Sequence, residues 1–259
     1  MAHSSQEHTN WRQTAERVLS TAPLFANCSI ATRTALMESG RLVRLEKDAV
    51  VARQDELPDP PSVIIDGLLA YSRTAANGKR YLIGFLRPGN LVHLVAMLDG
   101  QLSVHDVECH EPSLLLQVTH ERFDALLMQD PVLNRNVMRL LCRRERALYD
   151  WLSGRMLLGL QERCARLLLW LVDDGFGSTT PSAAVPLKLS QEEFAEMLGC
   201  TRQAAGKELL VLRREGIIET SYSHLEVRDL DALRRIAMVQ PRSRVASEVV
   251  GRHRRGDGH

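Results

Sequence analysis

Arg202, Gln203 and Lys207 are the side chains of this sequence best suited to reading another molecule through hydrogen bonds. An arginine can set two parallel N–H donors on guanine O6 and N7, a glutamine can pair with adenine N6 and N7, and a lysine reaches guanine or phosphate. On a helix they share an outward face near the first turn with Gly206, whose missing side chain leaves room for a base methyl or a DNA backbone. Ser190-Gln191 and Thr201-Arg202 would each open a helix, and backbone N–H groups at such ends bind phosphate oxygens. The chemistry implied is recognition of duplex DNA by a helix entering the major groove.

Such a face needs a helix held end-on, and residues 189–212 supply the support. Ser190 followed by Glu193 is a capping box, in which each side chain satisfies a backbone N–H at the other's end. Gly199 provides the left-handed residue that ends the first helix, and Thr201 caps the second. Phe194, Ala195 and Leu198 face the same core as Ala205, Leu209 and Leu212, with the two alanines allowing close approach. This is helix-turn-helix spacing. Arg213 to Glu219 then leads to Leu225-Glu226-Val227, which reads as a two-stranded wing. The competing reading is an ordinary helical hairpin with a solvated polar face.

The rest of the chain must orient this unit. Its 259 residues, 44% hydrophobic, suffice for two domains with real cores. With 33 basic against 32 acidic side chains there is no global attraction to nucleic acid, so binding must come from a local face. No run of about 18 apolar residues is present, and the first residues carry no apolar signal segment. The expectation is a cytoplasmic protein with no membrane partner. From Gly40 to Val118 the texture is β: strands at Arg41–Leu45, Ser62–Ile65, Tyr81–Leu86 and Ser113–Val118 are punctuated by Asp66-Gly67, Asn77-Gly78, Pro88-Gly89 and Asp99-Gly100. That pattern predicts an antiparallel roll or barrel.

After Thr119 the period becomes helical. Glu121 to Gln129 predicts a short helix, and Asp130-Pro131 opens a long one, striped by Leu133, Val137, Leu140, Leu141, Leu148 and Leu152, up to Ser153-Gly154. A helix between two domains has little of its own domain left to cover such a stripe. Val137, Leu141, Leu148 and Leu152 are therefore expected to meet a second copy of the chain. The predicted class is α+β: a polar leader over 1–20, a β-roll sensor over 21–129, a dimerisation helix and hinge over 130–158, a winged helix-turn-helix over 159–236, and a basic tail over 237–259. The tail's Arg242, Arg244, Arg252, Arg254 and Arg255 read as a solvated end, with an auxiliary phosphate contact as the alternative.

Other candidate chemistry is thinner. Five cysteines are scattered without metal-site spacing, which fits reduced, mostly buried thiols. His105-Asp106-Val107-Glu108-Cys109-His110 gathers metal-capable side chains, but one strand converges poorly on a tetrahedral ion, so no metal site is expected. A cupin-like metalloenzyme using His93, His105, His110 and His120 lacks the His-x-His spacing, and no catalytic residue is assigned.

Taken together, Pro23-Leu24-Phe25, the roll marks Asp66-Gly67, Asn77-Gly78-Lys79 and Pro88-Gly89-Asn90, Asp130-Pro131, Arg163-Cys164-Ala165-Arg166-Leu167-Leu168, the helix-turn-helix and Gly216-Ile217-Ile218 resemble the Crp/Fnr family of bacterial transcription regulators. The resemblance covers nearly all of residues 20 to 236. It implies a homodimer with an N-terminal cyclic-nucleotide-binding-like roll and a C-terminal winged helix-turn-helix reading an inverted repeat. It also implies an effector that reorients the recognition helices about a hinge from Ser153-Gly154 to Gly159. RNA polymerase would be a partner only of an activator, and no residue pattern here identifies that surface.

The sequence departs from the family in the ligand segment. Where cyclic-AMP-binding members carry a Glu for the ribose and an Arg for the phosphate, this chain has Leu94 and, near the second position, Ser103. Leu148 and Tyr149 stand where those members place hydroxyls for the adenine. Burying a phosphate without a cation or donors is costly, so cyclic AMP is not expected as effector. The iron–sulfur branch needs clustered cysteines, and Cys28 stands alone. A small apolar effector around Leu91, Leu94, Met97 and Tyr149 is one expectation. A haem on His93, in the segment where haem-sensing relatives keep an iron ligand, is another, although a lone histidine is more often structural. A ligand-binding module that no longer binds DNA is the remaining rival, disfavoured by the three suitable readers.

Overall fold

The computed structural model describes residues 2–172, 187–221 and 224–238. Two four-stranded antiparallel sheets face each other. The first runs β1 (Arg41–Leu45), β8 (Ser113–Gln117), β3 (Ser62–Asp66), β6 (Leu91–Val92); the second runs β2 (Val50–Ala52), β7 (Asp106–Cys109), β4 (Leu69–Thr74), β5 (Arg80–Leu86). Ile64, Leu69, Tyr71, Leu86, Val92, Val107 and Leu115 fill the space between them. The Asn77-Gly78 turn closes the β4–β5 hairpin, with Asn77 Oδ1 accepting from the Lys79 N–H at 3.1 Å. The predicted strands are all present. The short β2, β6 and β7 are additions because two- to four-residue strands leave almost no alternation to read, and the six-residue β4 is one because its first four residues are all buried and do not alternate.

The outer face of the first sheet is covered by helices: α1 (Ala2–Thr21), α2 (Ile30–Ser39), the short α3 (Leu94–Asp99), α4 (His120–Gln129) and the start of α5 (Pro131–Leu157). Their shared core holds Ala15, Leu19, Phe25, Leu36, Val63, Leu116, Phe123 and Leu133. The leader is expected to become a short helix over Trp11–Leu19, and that stretch lies within α1. Residues 11–22 belong to the roll, because Ala15, Val18, Leu19 and Ala22 form a helical stripe buried against it. The long helix also runs past the predicted end at Ser153-Gly154 to Leu157, and the break falls at Leu158-Gly159.

Beyond that break come α6 (Leu160–Val172), β9 (Leu187–Lys188), α7 (Gln191–Leu198), α8 (Arg202–Arg214), the antiparallel pair β10 (Ile218–Ser221) and β11 (His224–Val227), and α9 (Leu230–Ile236). β9 pairs with β11, giving the wing a third strand that two residues of sequence did not announce. The basic tail beyond residue 238 and the Gly/Ser/Thr/Pro loop at 175–184 lie outside the described residues.

Candidate nucleic-acid interface

The turn between α7 and α8 is built as its residues require. Ser190 Oγ accepts from the Glu193 N–H at 3.1 Å, and Glu193 Oε2 accepts from both the N–H and the hydroxyl of Ser190 at 2.8 Å. Gly199 sits at φ +65° and closes α7, with its N–H bonded back to Glu196 at 3.0 Å. A side chain there would be strained and would also meet the Arg155 guanidinium, 2.8 Å from the position of a Cβ. Thr201 Oγ1 accepts from the Ala204 N–H at 3.2 Å and opens α8. Phe194, Ala195 and Leu198 of α7 and Ala205, Leu209 and Leu212 of α8 are all buried.

Arg202, Gln203 and Lys207 are exposed on the opposite side of α8, and Gly206 is half-buried beside them. The Gln191 Oε1 lies 3.8 Å from where a Cβ on Gly206 would stand, so the leading end of α7 meets the reading face of α8. The seven residues Ser190, Gln191, Thr201, Arg202, Gln203, Gly206 and Lys207 thus form one surface. As expected from their spacing, the Ser190 and Thr201 hydroxyls are committed to helix capping, so they position the surface rather than offer a side chain to a ligand. The wing is tied by Arg228, which bridges Glu219 and, at 3.0 Å, Glu226.

The effector residues do not come together. Leu91 and Leu94 are packed in the core beneath the N-terminal helices, Met97 packs against that core, and Tyr149 is 64% exposed on α5. Leu91, Leu94 and Met97 thus belong to one core cluster, and Tyr149 stands apart from it on the protomer. Ser103 is buried, and its Oγ has no hydrogen-bond partner among the described residues. His93 holds a left-handed backbone, φ +65°, ahead of α3, and burial pushes its imidazole below the ordinary histidine range. Its neighbours Leu91, Val92 and Leu94 are spent on the roll's own cores, so this segment does not fit a porphyrin.

Residues not anticipated from sequence meet where the roll touches α5. His105 stacks edge-on against Tyr71 at 5.6 Å, and burial, together with Arg73 and Arg144, pushes its imidazole down to about 4. Burial raises the Tyr71 phenol and lowers the Arg144 guanidinium, each felt by the other. The pairing of Arg144 with Tyr71 crosses more than seventy positions, and no local signal marks it.

The 105–110 segment has protein partners of its own. Asp106 accepts from the Gln54 N–H and the Thr74 hydroxyl, both at 3.0 Å, Glu108 lies 3.6 Å from Arg80, and His110 lies 3.4 Å from Glu193. Among the described residues no three His, Cys, Asp or Glu side chains gather as a metal set. Cys28 is buried, and burial with Asp130 nearby pushes its thiol up to about 11, the reverse of what a cluster-binding thiolate needs. Along the expected dimer seam Val137 is corrected: it is 4% exposed and belongs to the protomer's own core. Leu141 is half-buried, while Leu148 and Leu152 are exposed. No helix among the described residues is long and apolar enough to cross a membrane.

Comparison with known proteins agrees with both halves of this architecture. The cyclic nucleotide-binding domain matches residues 42–130, and the Crp-like helix-turn-helix domain matches residues 162–236, together well over half of the chain. The cyclic AMP receptor protein of Thermus thermophilus is 28% identical over 71% of this chain and 82% of its own length. A CRP-like cAMP-activated global transcriptional regulator of Mycobacterium tuberculosis is 22% identical over 86% of this chain and 99% of its own. The structure of FixK2 from Bradyrhizobium japonicum superposes with a TM-score of 0.66, covering 78% of this chain and 99% of that one at 17% identity. With a roll matched by one domain and a winged helix-turn-helix matched by the other, in the order its relatives share, the chain belongs to the Crp/Fnr family of transcriptional regulators and is not an enzyme.

Proposed function

We propose that the protein acts as a homodimer that binds an inverted repeat in duplex DNA, placing the first turn of each α8 in the major groove. The observation that carries this reading is the exposure of Arg202, Gln203 and Lys207 together at the leading end of a helix whose other face is buried. The dimer reading rests on the second half of α5, where Leu148, Leu152, Met156 and Leu157 stand exposed on one protomer. Selection of bound fragments from random duplexes, followed by footprinting, tests both. Arg202→Ala is expected to cost about 1–3 kcal/mol on the selected site and to relax one base position. A loss spread evenly over all sequences would assign Arg202 to phosphate instead.

Cyclic AMP is not the effector in this reading, although two of the relatives are named for it. Leu94 is buried in the core beneath the N-terminal helices and cannot hydrogen-bond a ribose, and Ser103 brings no charge to a phosphate. Half-buried Arg144 comes from α5 and interacts with Tyr71 of the roll. Calorimetric titration should give no cyclic AMP binding in the micromolar range, and micromolar affinity would overturn this assignment.

A further inference from the structure

α5 carries a row of residues that its own protomer leaves open. Asn134, Met138, Leu141, Glu145, Leu148 and Leu152 follow one another at alternating steps of four and three residues along one unbroken helix. That is the repeat of a two-stranded coiled coil, in which each member inserts between four residues of the facing helix. Every member is exposed or half-buried, whereas Leu133, Val137 and Leu140 on the neighbouring line are buried in the protomer's own core. A repeat of this period fits an identical helix from a second copy.

The direction of that pairing follows from where the helix-turn-helix sits. α5 has 27 residues, a length of about 40 Å, and the helix-turn-helix follows its C-terminal end. α7 is seated on the roll of the same protomer, with Phe194 and Met197 in one apolar cluster with Leu82 and Phe85 of β5. An antiparallel pairing would set the two recognition helices at opposite ends of α5. A parallel one puts both on one side, as a single inverted repeat requires. This step rests on the DNA-binding dimer proposed above.

The row has one charged member, near its centre. Glu145 is exposed and has no ion-pair partner among the described residues. In a parallel, in-register pair it enters the space between the partner's Leu141, Arg144, Glu145 and Leu148. Two carboxylates brought together there repel unless cations flank them. Arg144 is placed to flank them: it directly precedes Glu145 and stands at the border between the buried line and the open row. It is half-buried and interacts with Tyr71 of the roll. A guanidinium has five N–H donors, so engagement with the roll is compatible with a carboxylate arriving from a second copy. A single polar residue in such a row fixes register and strand number at a cost in stability.

We propose that Glu145 meets the partner subunit's Arg144 across a parallel, in-register pair of α5 helices, and that this contact fixes the register of the dimer. Symmetry makes the contact twice. It also joins the seam to the roll, because the same arginine interacts with Tyr71.

The test is sedimentation equilibrium of the full chain, wild type against Glu145→Gln, Glu145→Lys and Glu145→Leu. For Glu145→Gln the dimer dissociation constant should rise about two- to thirtyfold, the effect of losing two partly exposed ion pairs. It should rise further for Glu145→Lys, which sets a cation against the partner's Arg144, and should fall for Glu145→Leu. Register is read with Leu148→Cys in a Cys142→Ser background, oxidised with glutathione disulfide. With Glu145 in place the chain should crosslink almost completely as a dimer. With Glu145→Leu added, crosslinking should be incomplete and larger assemblies should form. Equal dissociation constants for the wild type, Glu145→Gln and Glu145→Lys, or a tighter dimer for Glu145→Gln than for the wild type, overturn the charge contact. Complete crosslinking of a strictly dimeric Glu145→Leu chain overturns the role in register. Both of those results leave a dimer standing, whereas a wild type that stays monomeric overturns the dimer reading and this contact with it.

Discussion

The two halves of α5 carry similar residues and meet opposite fates. Leu133, Val137 and Leu140 are buried in the protomer's own core, whereas Leu148, Leu152, Met156 and Leu157 are more than half exposed. The two sets also sit on different faces. Leu133, Val137, Leu140 and Arg144 follow one line along the helix, and Leu141, Leu148 and Leu152 follow another, roughly a quarter turn away. The first line continues through Trp151 and Arg155 to the roll and the helix-turn-helix turn. One helix thus spends one face on intramolecular contacts and leaves a second exposed, the face proposed above for the dimer. A linear list of leucines merges the two, although Val137 lies on the buried line.

The largest expected effect comes from the exposed face. Replacing Leu148 and Leu152 together by Glu should leave the thermal midpoint of the protomer nearly unchanged, because neither side chain is buried in it. Sedimentation should then show a monomer, and affinity for a two-half-site duplex should fall roughly a hundredfold or more as the second contact stops being intramolecular. A variant that stays dimeric with wild-type affinity would remove this face from the interface. Leu133→Ala is the matched change on the buried face. It should cost about 2–5 kcal/mol in urea denaturation, since a fully buried leucine leaves both lost contacts and a cavity. Its association state should be untouched. If both variants dissociated the dimer and neither destabilised the protomer, the separation of faces would be wrong.

Legibility in the sequence followed the range of the interactions involved. The helix-turn-helix is set by contacts within a few residues: Ser190 with Glu193, Gly199 at its own φ, Thr201 with Ala204. Those could be read residue by residue, and so could the roll's longer strands and its turns. What could not be read depends on pairs far apart in the chain. The covering of Leu91 and Leu94 by α1 and α2, the meeting of Arg144 with Tyr71, and the seat of α7 on β5 join segments whose proximity no local pattern encodes. A segment likeness identifies positions without saying which elements lie over them.

The smallest effect sharpens the comparison at the point where the buried half of α5 begins. Asp130 Oδ1 accepts from the N–H groups of Val132 and Leu133 at 2.9 and 3.2 Å, and its Oδ2 accepts from the Thr32 hydroxyl at 2.6 Å and the Ser29 N–H at 3.2 Å. One carboxylate caps α5 and bolts it to α2. Burial alone would raise this acid, but the four hydrogen bonds to the charged form outweigh it and hold the carboxyl below the usual range. A depressed folded-state value means that the contribution is intact above the unfolded value, near pH 4, and is lost as pH falls through the folded one. Asp130→Asn should cost about 1–2 kcal/mol at neutral pH, as a lost charged cap does. The difference from wild type should shrink steadily below about pH 4, because the native acid is then protonated as well. A difference that stays constant down to about pH 2 would mean that Asp130 acts by shape and not by charge, and that the anchoring of the buried half owes nothing to its ionisation.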